Sequence, residues 1–108
     1  MYQRACVLVL VFTAACAADH GTKRYSGYYM NGFEVSLFRP ISSSERWWLV
    51  GSAPIPCPLP TNSYVFLEVQ GELSEKGEHG HMGMYDRQLR VVDIVSCRPV
   101  RNDELREL

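Results

Sequence analysis

Residues 53–60 read A-P-I-P-C-P-L-P, with proline at every second position. Each proline lacks an amide donor and fixes its own φ, so this segment can neither sit inside a sheet nor continue a helix. It must run as an extended, polyproline-like strap, and the folded elements must come from the chain on either side. Proline-rich segments serve some proteins as docking ligands. This one is only eight residues long and flanked by strand patterns, which predicts a rigid surface connector tied to the body through Cys57.

The flanking patterns are those of β-strands. Residues 27–39 (G-Y-Y-M-N-G-F-E-V-S-L-F-R) alternate Phe33, Val35 and Leu37 against Glu34 and Ser36, and Asn31-Gly32 reads either as a hairpin turn or as a bulge in one long strand. Pro40 and Ser42-Ser43-Ser44 then turn the chain. Residues 46–52 put Trp47 and Leu49 on one face and Trp48 and Val50 on the other, so one tryptophan must lie outside the main core or under a loop. In residues 64–73, Val65, Leu67 and Val69 point inward and Phe66, Glu68 and Gln70 outward. Residues 74–83 form a glycine-rich loop. Residues 84–96 close the sheet, and the change of parity through Leu89, Val91, Val92 and Ile94 predicts a bulge or a strand that passes from one sheet face to the other.

No stretch of ten or more residues carries helical periodicity. The pattern therefore predicts an all-β fold, a small antiparallel β-barrel or sandwich of four to five strands, OB-like in architecture. Its expected core is Val35, Leu37, Leu49, Val65, Leu67, Val69, Leu89 and Ile94.

The N-terminus addresses the compartment. Arg4, the apolar run 5–12 and the small residues Thr13-Ala14-Ala15 before Cys16 form a secretory signal pattern. The run is too short to span a bilayer, which takes roughly 20 apolar residues. The segment F-T-A-A-C resembles the lipobox of bacterial lipoprotein precursors, with Thr13 where that family most often has Leu. The resemblance implies a diacylglyceryl group on Cys16, which becomes the mature N-terminus. Ala17 after it then implies the outer membrane of a two-membrane host, facing the periplasm. Ala15-Cys16-Ala17 also fits the A-x-A pattern of ordinary cleavage, which would release a free protein. The expected organisation is a signal peptide at 1–15, a lipidated N-terminus and tether at 16–24, a β-domain at 25–98 and a polar C-terminal tail at 99–108.

Composition excludes some partners. Eleven basic residues against twelve acidic ones give a net charge of -1, without the electrostatic footprint of a nucleic-acid binder or a polybasic membrane patch. N-terminal acyl chains remain as the membrane attachment. Of the four cysteines, Cys6 leaves with the signal and Cys16 takes lipid. Cys57 and Cys97 remain, and in an oxidising compartment two thiols most simply pair. The alternative is two unpaired, buried thiols.

The densest chemistry lies in Glu78-His79-Gly80-His81-Met82-Gly83-Met84. Imidazole and thioether together suit copper, or through the histidines zinc, so His79, His81, Met82 and Met84 are candidate metal ligands, with His20 in the tether as an addition. Alternatively, Met84 is a core residue at a strand start and the glycines merely shape a hairpin. No catalytic residue is predicted: there is no H-E-x-x-H, nucleophile elbow or phosphate-cradling loop, and Glu34, Glu45, Glu68 and Asp86 read as solvated acids. Asp86, Arg87 and Arg90 read as cross-strand charge partners.

The aromatic residues exceed what one thin core can bury. Tyr28, Trp47, Trp48 and Phe66 are therefore candidate contacts for an envelope protein or a glycan. Residues 28–95, with G-F-E-V-S-L-F-R-P, E-R-W-W-L-V-G and G-E-L-S-E-K-G-E-H-G-H-M-G-M-Y-D-R-Q-L-R-V, resemble small bacterial envelope lipoproteins. That resemblance implies a compartment and a β-fold and carries no chemistry. The sequence thus predicts a lipid-anchored, non-enzymatic envelope protein, with periplasmic copper or zinc binding as the rival.

Overall fold

The computed structural model describes residues 21–108, so Cys6, Cys16 and His20, together with the signal and lipidation readings, lie outside the described residues. Five strands form a closed barrel: β1 (Lys23–Gly32), β2 (Val35–Pro40), β3 (Trp47–Val50), β4 (Tyr64–Leu73) and β5 (Arg87–Pro99), in the spatial order β1-β2-β3-β5-β4. The other elements are a one-turn 3-10 helix at His81–Gly83 and a single-turn helix α1 at Asn102–Leu105. Closure removes the exposed edges that an open five-stranded sheet would present. All pairings are antiparallel except one: β3 runs parallel to β5, with Leu49 opposite Leu89.

Residues 27–39 are not one strand. They make a β1–β2 hairpin whose register pairs Gly32 with Val35, which leaves Phe33 and Glu34 as the two-residue turn. Glu34 adopts a left-handed φ of 57°, and Phe33 is 86% exposed rather than inward-facing. Asn31-Gly32 lies at the end of β1, just before the turn. Because strand faces alternate every residue, this register inverts the expected parity of β2. Phe38 enters the core opposite Tyr29, while Leu37 faces outward, opposite Trp48. Leu37 is still buried, but outside the main core cluster.

The core holds Tyr29, Phe38, Trp47, Val65, Leu67, Val69, Leu89 and Val91. Four of the eight expected positions, Val65, Leu67, Val69 and Leu89, belong to it, while Leu49 and Ile94 pack at its margin and Val35 is only half-buried. Trp47 stacks on Phe38 at 5.7 Å and meets Tyr25 edge-on at 5.4 Å. The predicted irregularity of the last strand is present as two shifts of the β4–β5 register. Glu68 pairs with Ser96 and Val69 with Ile94, then Gln70 with Asp93 and Gly71 with Val91, so Val95 and Val92 are the extra residues. Both are turned out to solvent, the usual fate of a bulged residue.

The proline strap follows the barrel wall as expected. Ala53, Ile55, Cys57 and Leu59 pack against the core, and the alternating prolines are exposed. Cys57 is bonded to Cys97 on β5, with 5.9 Å between their Cα atoms.

Candidate functional site

The β4–β5 loop, residues 74–86, does not hang free. It folds back over the outer face of β3, so that Leu37, Trp48 and Tyr85 form a second apolar layer on the outside of the barrel. Trp48 meets Tyr85 edge-on at 4.9 Å, and the Arg46 guanidinium lies 5.0 Å from the centre of the Tyr85 ring. This answers the question of the second tryptophan: Trp48 lies under a loop. Gly80, at φ 70°, crosses directly over it, and a Cβ there would stand 2.6 Å from the indole. Only glycine permits both the backbone conformation and the approach. His79 and Tyr85 pair across the loop through reciprocal backbone bonds of 3.0 and 3.1 Å.

The far end of this loop meets the β1–β2 turn. His81 Nε2 lies 2.7 Å from Glu34 Oε1, the contact that joins the two connections. Glu34 and Met82 both hold the left-handed conformation, each at φ 57°. Non-glycine residues adopt it at a cost and persist there when the surroundings fix them. Phe33 and Met82, the chain neighbours of Glu34 and His81, are 86% and 80% exposed, and Met84 further along the loop is 61% exposed. Met84 is therefore not a core residue; Tyr85 takes the buried position next to it.

The two candidate histidine ligands are engaged separately. His79 Nε2 is engaged by Glu75 O at 3.0 Å and Ser74 Oγ at 3.3 Å, while His81 is turned to Glu34. Among the described residues, no group of three or more His, Cys, Asp or Glu side chains is placed to hold a metal ion.

The candidate partner-binding aromatics are also distributed. Trp47 is a core residue, 4% exposed. Tyr28 and Phe66 do face outward from adjacent strands, edge to face at 5.2 Å, but they are built into a polar clasp with the C-terminal residues. Arg98 lies 4.4 Å from the Phe66 ring centre and grips Glu104 with two 2.9 Å bonds, while the Tyr28 hydroxyl donates to Glu104 at 2.8 Å. The Arg101 amide also donates to Glu104, at 2.8 Å. In this way α1, which buries no residue of its own, is fixed to the barrel by one carboxylate. A groove of about 380 Å³ opens between α1 and the strap, lined by Pro58, Pro60, Tyr64, Pro99, Val100 and Leu105 among others.

The clasp makes a pH prediction. Arg98, and then the Arg101 amide, hold the Glu104 carboxyl well below the usual carboxylate range. Burial and the bond to Glu104 push the Tyr28 hydroxyl up. A carboxylate whose folded pKa is depressed contributes its full stabilisation above its unfolded pKa, about 4.3 for Glu, and loses it progressively as pH falls toward the folded value. The docking of α1 is thus expected to be constant through neutral pH and to weaken only in acid below that range. Carboxyl NMR titration of Glu104 checks this, and an ordinary glutamate titration would contradict it.

The other acids serve structure too. Glu45 accepts from Trp47 Nε1 and Arg87 Nε, each at 2.8 Å, and these bonds lower its pKa. Asp86 accepts the Arg46 amide at 2.8 Å, and Arg90 pairs with Glu72 across β5 and β4. No protein-family model, curated protein or solved structure matches the chain.

Proposed function

We propose that this protein is an exported, lipid-anchored, non-enzymatic component of the bacterial cell envelope that binds a partner through the apolar tip formed by the β1–β2 turn and the β4–β5 loop. The observation that carries the compartment is the Cys57–Cys97 disulfide, a bond that persists in oxidising compartments and agrees with the signal pattern ahead of Cys16. The tip is favoured over the aromatics Tyr28, Trp47, Trp48 and Phe66 because Trp47 is in the core, Trp48 lies beneath a loop, and Tyr28 and Phe66 are engaged by the C-terminal clasp. Phe33 and Met82 instead present large apolar area to water, Met82 on left-handed backbone and Phe33 next to left-handed Glu34. Five-stranded OB barrels commonly bind ligands on the β2–β3 face and on these two connections, an analogy of fold alone. The non-enzymatic reading is supported by the use of Glu45, Glu72, Asp86 and Glu104 as partners in structural pairs.

Soft-metal capture is the rival reading, favoured by the exposure of two thioethers beside His81. Expression of the full precursor in a bacterial host tests the first reading. The expected product is a membrane-bound protein whose N-terminal peptide carries an acylated Cys16, with Cys16→Ser released into the soluble fraction. An unmodified mature N-terminus beyond Cys16 would overturn the anchor. Copper(I) titration of the wild type against the His79→Ala, His81→Ala variant separates binding at these ligands from the partner reading.

A further inference from the structure

We propose that Met82 and Met84 form a paired modification site for peroxides, at which conversion to methionine sulfoxide switches the tip from apolar to polar. Its consequence rests on the reading of the tip as a binding surface, while the modification itself does not. The loop forces both thioethers outward. The His79–Tyr85 pairing closes the base of the loop, the bends at Gly80 (φ 70°) and Gly83 (φ 65°) shape the turn between, and Trp48 and Tyr85 fill the space beneath. With Met82 at 80% and Met84 at 61% exposure, the thioethers cannot retreat into a core that is already filled. Met30, by contrast, is half-buried on β1, paired with Leu37 and Tyr64. The Cys57–Cys97 disulfide agrees with the proposed export to an oxidising compartment, and an exposed thioether is the form of methionine open to peroxide.

The chemistry balances without any other group. The thioether sulfur attacks one peroxide oxygen, an S–O bond forms and the O–O bond breaks. Sulfur loses two electrons, the peroxide gains them, and the departing hydroxide takes up the remaining proton as water. The product is a polar, chiral sulfoxide that a methionine sulfoxide reductase can return to thioether. Two such oxygens on the exposed loop would hydrate it and remove its apolar character.

Hydrogen peroxide titration of the disulfide-bonded protein, followed by peptide mass mapping, is the test. Sulfoxide is expected at Met82 and Met84 several-fold faster than at Met30; equal rates at all three would overturn the site. Retention on a phenyl matrix reads the consequence. It should fall on oxidation, recover with reductase, and be insensitive to peroxide in a Met82→Leu, Met84→Leu variant, which keeps the apolar bulk without the sulfur. Selective oxidation with unchanged retention would leave the modification site standing and remove the tip as an apolar binding surface.

Discussion

Leu67→Ala is expected to destabilise the protein by about 2–5 kcal/mol, the range for emptying a fully buried leucine site. Leu67 is 0% exposed, near the middle of β4, where it pairs with Gly27 on one side and Cys97 on the other. Its methyl groups have no route to water, and the closed barrel limits how far neighbouring strands can collapse into the void. A domain of this size is stable by roughly 0.05–0.15 kcal/mol per residue, so the loss removes a large share of the total. Urea unfolding followed by tryptophan fluorescence measures it, since Trp47 belongs to the same core. The contrast is Phe33→Ala, a larger truncation at an exposed turn, expected within about 0.5 kcal/mol of wild type. Equal costs at the two sites would refute this account of the core.

Replacing Cys57 and Cys97 together by alanine should cost about 4 kcal/mol, from the entropy of a chain no longer closed over a separation of 40 residues. The strap makes this bond matter more than its length suggests. Its prolines donate no backbone bonds, so it is fastened by Ala53, Ile55, Cys57 and Leu59 lying against the core. Comparison of the unfolding midpoint with and without reductant, with the double variant as control, reads the effect. A midpoint indifferent to both would show that the strap is held by packing alone.

The β-class was legible because hydrophobic alternation and proline placement are local signals, and residues 64–73 were bounded as the strand itself is. The pairing of Cys57 with Cys97 followed from compartment and count. The parity of β2 was not legible. Asn31-Gly32 is a strong turn signal, yet the chain turns two residues later, at Phe33-Glu34; a shift of two keeps face parity, and it is the pairing of buried Tyr29 with Phe38 across a two-residue turn that puts Phe38 rather than Leu37 in the core. The outer layer of Leu37, Trp48 and Tyr85 was legible in part: the alternation at Trp47-Trp48 required one tryptophan outside the core or under a loop, but a loop that covers a sheet face leaves no periodic mark to show which one or what packs on it. Gly80 was the available trace, since a glycine inside a histidine- and methionine-rich loop signals close backbone approach as readily as flexibility. The clasp was missed because Glu104 reads as one acid in a polar tail, and only the fold brings Arg98 and Tyr28 to it.

The position of β5 orders the assembly of the whole molecule. The last strand of the chain is inserted between β3 and β4, so residues 87–99 complete both remaining seams at once. Until they arrive, β4, β1, β2 and β3 can pair only as an open sheet with β3 and β4 as its free edges, and closing the β3–β5 seam, which joins residues 47–50 to 87–90, is slow compared with hairpin formation. Cys97 lies within that final strand, so its native bond to Cys57 becomes a chemical record that the barrel has closed.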